Sequence, residues 1–174
     1  MGETDKVYKG KIIDIQIEKV TLPNGHEFEM EVVQHPGGAA VVALDEQGRV
    51  CLLRQYRHVA EAWLWELPAG KIDADEPPLE TAQRELAEEA GLIAAQWQSL
   101  GMIFTSPGVF KEQIHLYLAR ELSHVASAHE TEEVIEIRWF DFKQAFDWAK
   151  NGQISDAKTL AGILRSIELL DPDQ

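Results

Sequence analysis

GKIDADEPPLETAQRELAEEAGL, residues 70–92, decides the fold of this chain. Pro77 and Pro78 stand where a helix would start, because the first turn leaves N–H groups unused and proline has none to lose. Gly91 ends the run, in the place where a helix C-terminus favours a left-handed residue. The spacing between them predicts a helix over 77–90. At about 100° per residue, Leu79, Ala82, Leu86, Ala90 and Ile93 gather within an arc of roughly 80°, the expected core face. Glu85, Glu88 and Glu89 gather on an adjacent arc of about 100°. Glu85 and Glu89 are one turn apart and can point at one spot, and like charges so placed repel. Such acids either spread over a solvated face or surround a cation. A hard divalent ion such as Mg²⁺ suits the second arrangement, because it takes carboxylate oxygens and keeps positions for water and phosphate. Leu67-Pro68-Ala69-Gly70, just before, reads as a sharp turn that could present one more oxygen ligand.

Outward from this helix the pattern is mostly strands. Residues 10–20 alternate apolar and polar side chains, Pro23-Asn24-Gly25 signals a turn, and 26–35 reads as the returning strand of a hairpin. After Pro36-Gly37-Gly38 comes AAVVALD, a continuous apolar run of the kind found in central strands. RVCLLRQYR (49–57) and Leu64–Leu67 are two further strands. Beyond the helix, strands are expected near 96–104, 113–119 and 134–140, the last two showing period two. Helical spacing returns near 142–151 and 156–169. Strands interrupted by one helix and closed by two give an α+β fold or an α/β/α sandwich with a mixed central sheet, rather than an alternating βα fold. We read residues 1–174 as one domain, with 1–36 as an N-terminal hairpin subregion.

Composition narrows the function. Thirty acidic against sixteen basic residues give a net charge of −14, which excludes a nucleic-acid-coating surface. No apolar run approaches the roughly 20 residues needed to cross a bilayer, and MGETDKVYKG has no apolar signal region. A single cysteine, Cys51, forbids an internal disulfide and fits a reducing, cytoplasmic compartment.

The helix and its flanks resemble the Nudix hydrolase family. Gly70, Glu76, Arg84, Glu85, Leu86, Glu88, Glu89, Gly91 and Leu92 stand at the fixed positions of the Nudix box, at the family's spacing. The resemblance implies an α/β/α sandwich and Mg²⁺- or Mn²⁺-dependent hydrolysis of a nucleoside diphosphate linked to a further group. It implies Glu85 and Glu89 as catalytic metal ligands, joined by Glu88 and the carbonyl of Ala69. It gives Arg84 the task of orienting a glutamate, and Glu76 a mainly structural one.

Other segments resemble the ADP-ribose pyrophosphatase subgroup: Arg54–Arg57 followed by WELPAG, the segment Thr105-Ser106-Pro107-Gly108, Glu112 five residues after the proline, and ISDAKTLAGI near the end. They imply substrate contacts from Pro107, Gly108 and Glu112. Arg57 and Arg54 suit phosphate oxygens through planar guanidinium geometry. The same resemblance implies a mobile loop at the acidic segment His129–Glu133, with Glu130 as general base and Glu132 as an added metal ligand, while Glu132 and Glu133 also stay open as the base. The subgroup also implies a homodimer built through the N-terminal hairpin, with Trp63 or Trp65 at the contact. Val109-Phe110-Lys111 departs from the subgroup, which keeps wider nucleoside diphosphate sugars such as GDP-mannose open beside ADP-ribose. A nucleotide-sensing module that does not cleave is the third reading, and the intact box speaks against it.

Overall fold

The computed structural model describes residues 4–126 and 135–169. Among the described residues ten strands, three helices and two short 3₁₀ turns follow in chain order: β1 (Thr4–Lys9), β2 (Asp14–Thr21), β3 (Glu27–Gln34), β4 (Gly38–Ala43), β5 (Arg49–Arg57), a turn at His58–Ala60, β6 (Ala62–Glu66), β7 (Ala69–Lys71), α1 (Pro78–Ala90), β8 (Leu92–Ser106), β9 (Phe110–His124), β10 (Ile135–Asp141), α2 (Phe142–Asn151), α3 (Ala157–Ser166) and a turn at Ile167–Leu169.

β4 is the middle of the molecule. All six of its residues are buried, as its unbroken apolar sequence demands, and its two faces serve two cores. Ala39, Val41 and Ala43 meet Ala82, Leu86 and Ala90 of α1. Ala40 and Val42 share a second core with Ile163 of α3 and with Phe142 and Ala145 of α2. Helices therefore cover both sides of the sheets, which is the α/β/α sandwich expected from the sequence. In the larger sheet the order is β1-β2-β3-β9-β4-β7, with β8 also paired to β9. β4 runs parallel to β9 from Gly38↔Ile114 to Ala43↔Ala119. The end of β3 lies along β9 as well, at Val33↔Phe110 and Gln34↔Lys111. The smaller sheet is antiparallel, in the order β10-β5-β6.

The structure adds to the expected elements at three places. The N-terminal region is a three-stranded meander, because β1 pairs antiparallel with β2 through a register shift at Lys6/Tyr8. The turn after Pro68 continues as β7, antiparallel to β4. β8 begins directly after Gly91 and is fifteen residues long, with a register shift between Ser99 and Met102. The core face of α1 is also narrower than expected. Leu79 and Ile93 are 36% and 48% exposed, because Leu79 lies in the first turn and Ile93 already belongs to β8.

Cys51 is buried in β5, where burial and then the charge of Glu89 push its thiol up to about 12. Among the described residues no helix is long and apolar enough to cross a membrane.

Candidate active site

Local sequence sets α1 in place before any ligand is considered. Pro77 caps its N-terminus in an extended conformation and Pro78 opens its first turn. Gly91 adopts φ 64°, and its N–H reaches back to the carbonyls of Leu86 and Ala87. The helix turns its acids toward β7, so Glu85 and Glu89 are only 9% and 5% exposed. Glu89 Oε2 accepts the Ala69 N–H at 2.8 Å. Glu85 lies against Gly70 so closely that a Cβ there would stand 2.0 Å from its Oε1. Two carboxylates one helical turn apart thus press on two successive backbone units of β7.

Arg84 braces this arrangement from outside. Its Nε and Nη2 donate to the two oxygens of Glu76, both at 3.0 Å, and Nη2 also donates to the Lys71 carbonyl. Its Nη1 donates to Glu85 at 2.7 Å and to Glu88 at 3.0 Å. The hydrogen bonds from Arg84, then that from Thr81 Oγ1, bring the Glu76 carboxyl down to about 2. Glu76 acts as a brace for Arg84, which agrees with a structural part. A folded-state value below the ordinary 4.5 means that this brace stabilises the fold above about pH 4.5 and is lost as the pH falls toward 2. The stability difference between the protein and Glu76→Gln should therefore be constant above about pH 5 and shrink between pH 4.5 and about 2. Urea unfolding across that range checks it, and a difference that does not shrink there would contradict the brace.

The donor set fits a divalent cation. Carboxylates of Glu85, Glu88 and Glu89 and the carbonyl of Ala69 are all hard oxygen donors. One guanidinium nitrogen touches both Glu85 and Glu88, so these two carboxylates already share a single cationic partner. Among the described residues no three acidic, histidine or cysteine side chains are drawn together into a closed ligand group.

A cleft of about 600 Å³ opens beside this face, its lining including Ala69, Gly70 and Lys71 of β7, Gly37 and the first residues of β4, Gly38 and Ala39, with Arg57, Glu112, Asp156 and Lys158. Arg57 reaches it from the end of β5. Glu112 reaches it from β9, where it accepts the Thr105 hydroxyl at 2.7 Å and lies 3.2 Å from His35 Nδ1. Pro107 and Gly108 form the β8–β9 turn, closed by the Val109 N–H on the Ser106 carbonyl at 3.2 Å, and are not among the cleft residues. Arg54 is brought elsewhere. It stands opposite Trp65 on the outer face of the small sheet, its guanidinium 5.4 Å from the Trp63 ring centre and 5.9 Å from that of Trp65. Three residues apart on a strand, Arg54 and Arg57 face opposite ways. Glu130 and Glu132 lie outside the described residues.

The sequence reading missed two charged residues that line this cleft, Asp156 and Lys158, and a third behind them, Glu66. Glu66, only 2% exposed at the end of β6, accepts Arg57 Nε and Nη2, each at 2.8 Å, and Lys158 Nζ. Burial works against its charge, but the bonds from Arg57 and the nearby Lys158 outweigh it and hold its carboxyl below the ordinary range. Asp156 caps α3 by accepting the Thr159 N–H at 2.9 Å, and takes Lys158 Nζ at 2.9 Å. Asp156 and Thr159 carried the only sequence signal, a capping residue three positions before its partner amide.

A buried acidic pair on a helix, seated on a glycine-bearing strand beside a cleft with fixed cations, is the architecture of a site for phosphorylated substrates. A family model for the NUDIX domain matches residues 34–162, and the chain belongs to the Nudix family. It is 36% identical to an ADP-ribose pyrophosphatase of Bacillus subtilis over 91% of this chain and 87% of that one. It is 38% identical to an ADP-ribose pyrophosphatase of Mycobacterium tuberculosis over 92% and 79%. A solved structure described as an ADP compounds hydrolase superposes with a TM-score of 0.83 at 19% identity, covering 98% of this chain and 92% of that one; at that identity the likeness speaks for the fold.

Proposed function

We propose that this protein is a Mg²⁺-dependent ADP-ribose pyrophosphatase that hydrolyses the diphosphate bond to give AMP and ribose 5-phosphate. The observation that carries the proposal is that one cleft is lined both by Ala69 and Gly70, backed by Glu85 and Glu89, and by Arg57. Similarity to ADP-ribose pyrophosphatases over most of the chain supports the substrate.

The chain's own residues divide the work. Arg57 offers planar N–H donors to phosphate oxygens, and Glu112 offers an acceptor to a sugar hydroxyl. Glu85, Glu88, Glu89 and the Ala69 carbonyl would hold the ion, with Glu132 as an added ligand. The ion supplies Lewis-acid polarisation of the phosphoryl group. Glu130 takes the proton of the attacking water as its oxygen bonds to the phosphorus that bears adenosine. The bond from that phosphorus to the bridging oxygen breaks, and the bridging oxygen leaves with ribose 5-phosphate. Pro107 and Gly108 shape the turn next to Glu112.

We also read the protein as a cytoplasmic homodimer using the N-terminal strands. Exposed Val7 and Tyr8 on β1, and Tyr56 and Trp63 on the small sheet, support a second copy there. Trp65 packs against Phe140 and Trp148, which leaves Trp63 as the tryptophan for the contact. Sedimentation as a monomer at micromolar concentration would remove this reading.

Product analysis at pH 8 with Mg²⁺ tests the activity, with ADP-ribose, GDP-mannose, UDP-glucose and diadenosine polyphosphates as substrates. AMP and ribose 5-phosphate from ADP-ribose alone are expected. Comparable cleavage of several sugars would replace the assignment with a broader nucleoside diphosphate sugar hydrolase. Tight binding without cleavage would replace it with a nucleotide sensor.

A further inference from the structure

Resting on that reading, we infer that Lys158 is a second substrate-binding cation for the diphosphate, and that Glu66 is the positioning residue that fixes Lys158 and Arg57 together. The three side chains come from β5, β6 and α3, and they form a layered arrangement. Glu66 lies behind, 2% exposed, and cannot reach a ligand in the cleft. Arg57 and Lys158 stand in front of it, their side chains 41% and 14% exposed, and both line the cleft.

The contacts leave donors for a ligand. Glu66 takes Nε and Nη2 of Arg57, which uses two of the five N–H donors of a guanidinium. Lys158 Nζ gives one bond to Glu66 Oε2 and one to Asp156 Oδ1, out of the three an ammonium carries. A cation whose side chain is already held loses less freedom on binding than one drawn from solvent. The backbone secures the same geometry. Asp156 caps α3 through Thr159, and the Thr159 hydroxyl accepts the Leu67 N–H at 2.9 Å. Lys158 is thereby locked in register with Glu66, the residue next to Leu67 in the chain. Two acids and two bases make the group neutral overall, so it can be buried without a ligand. A diphosphate would meet Arg57 and Lys158 at the cleft wall, where Asp156 also stands but has its carboxylate taken up by Lys158 Nζ and by the Thr159 N–H and hydroxyl, while Glu66 lies behind.

The test compares the protein with Lys158→Met, Lys158→Arg and Glu66→Gln. Two readouts are used: steady-state kinetics on ADP-ribose with Mg²⁺, and the Kd of ADP-ribose by calorimetry without added divalent metal. Lys158→Met and Glu66→Gln should each raise KM and the metal-free Kd by about tenfold, the scale of a charge-assisted phosphate contact, with kcat changed far less. Lys158→Arg should recover most of the loss. Combining Glu66→Gln with Lys158→Met should cost less than the product of the two, because Glu66 acts through the cation. If Glu66→Gln does not fold, Lys158→Met carries the test. An unchanged KM and Kd in Lys158→Met, in a protein that cleaves ADP-ribose normally, overturns this inference and leaves the hydrolase assignment standing. A wild-type protein that neither binds nor cleaves ADP-ribose overturns both.

Discussion

In Glu89→Gln, kcat for ADP-ribose should fall by about a thousandfold, the upper scale for losing one group that stabilises developing charge on a phosphoryl centre, while the melting temperature stays within a few degrees. The two halves of this expectation have different causes. Glutamine has the volume of glutamate, and its amide oxygen can still accept the Ala69 N–H that Glu89 Oε2 accepts at 2.8 Å. The contact between α1 and β7 therefore survives. What goes is a negative charge that is 5% exposed, in a region where a charge interacts far more strongly than in water. A cation held by this face would bind more weakly, so raising the metal concentration should recover part of the activity. Full activity at ordinary metal concentration would remove Glu89 from the machinery. The thiol of Cys51 gives an independent check, because the charge of Glu89 is one of the two causes that push it up. In the variant it should titrate lower.

Gly70→Ala separates activity from folding by a different route. Gly70 lies in β7 opposite Ala39, and its φ lies outside the left-handed region, so alanine fits the backbone there. The obstacle is one side chain. The new Cβ would stand 2.0 Å from Oε1 and 2.1 Å from Cδ of Glu85. That carboxylate is the far end of a flexible chain and can swing away, taking with it its bond to Arg84 Nη1. The fold should persist with a melting temperature near that of the native protein. Activity should fall by about a hundredfold, since an ångström of misplacement in a reacting group costs that much. Differential scanning fluorimetry and initial rates measure the two effects. Native activity in the variant would show that the seat of Glu85 on Gly70 has no part in catalysis.

These two residues belong to the part of the molecule that was legible in sequence. A helix bounded by Pro78 and Gly91 needs only local rules, and so do the acids at fixed positions along it. The capped helix α2 and the central strand β4 were equally plain, one from period 3.6 and the other from an unbroken apolar run. β1 was not, since Val7 and Tyr8 are exposed and a register shift breaks its alternation. β7 was not, because three residues, Ala69-Gly70-Lys71, carry no pattern and become a strand only by pairing with β4. At the site, one short motif offered Arg57 first and Arg54 second as phosphate ligands, and the two-residue period of a strand sends them to opposite faces. The link from Arg57 through Glu66 to Lys158 spans 92 positions between its last two members. No spacing rule connects them, and only the packing of α3 against the sheets does.

The position of β4 also bears on the order in which the molecule comes apart. Its hydrogen-bonding partners lie on both edges, β9 on one and β7 on the other, and helices cover both faces. The amides of Val41 and Val42 cannot meet solvent until one of these layers has separated as a whole. Under native conditions they should exchange with deuterium only through global opening, whereas the outer meander of β1 and β2 exchanges by local fraying. The strand that carries the apolar face of α1 and part of the cleft wall is thus also the last to lose its protection.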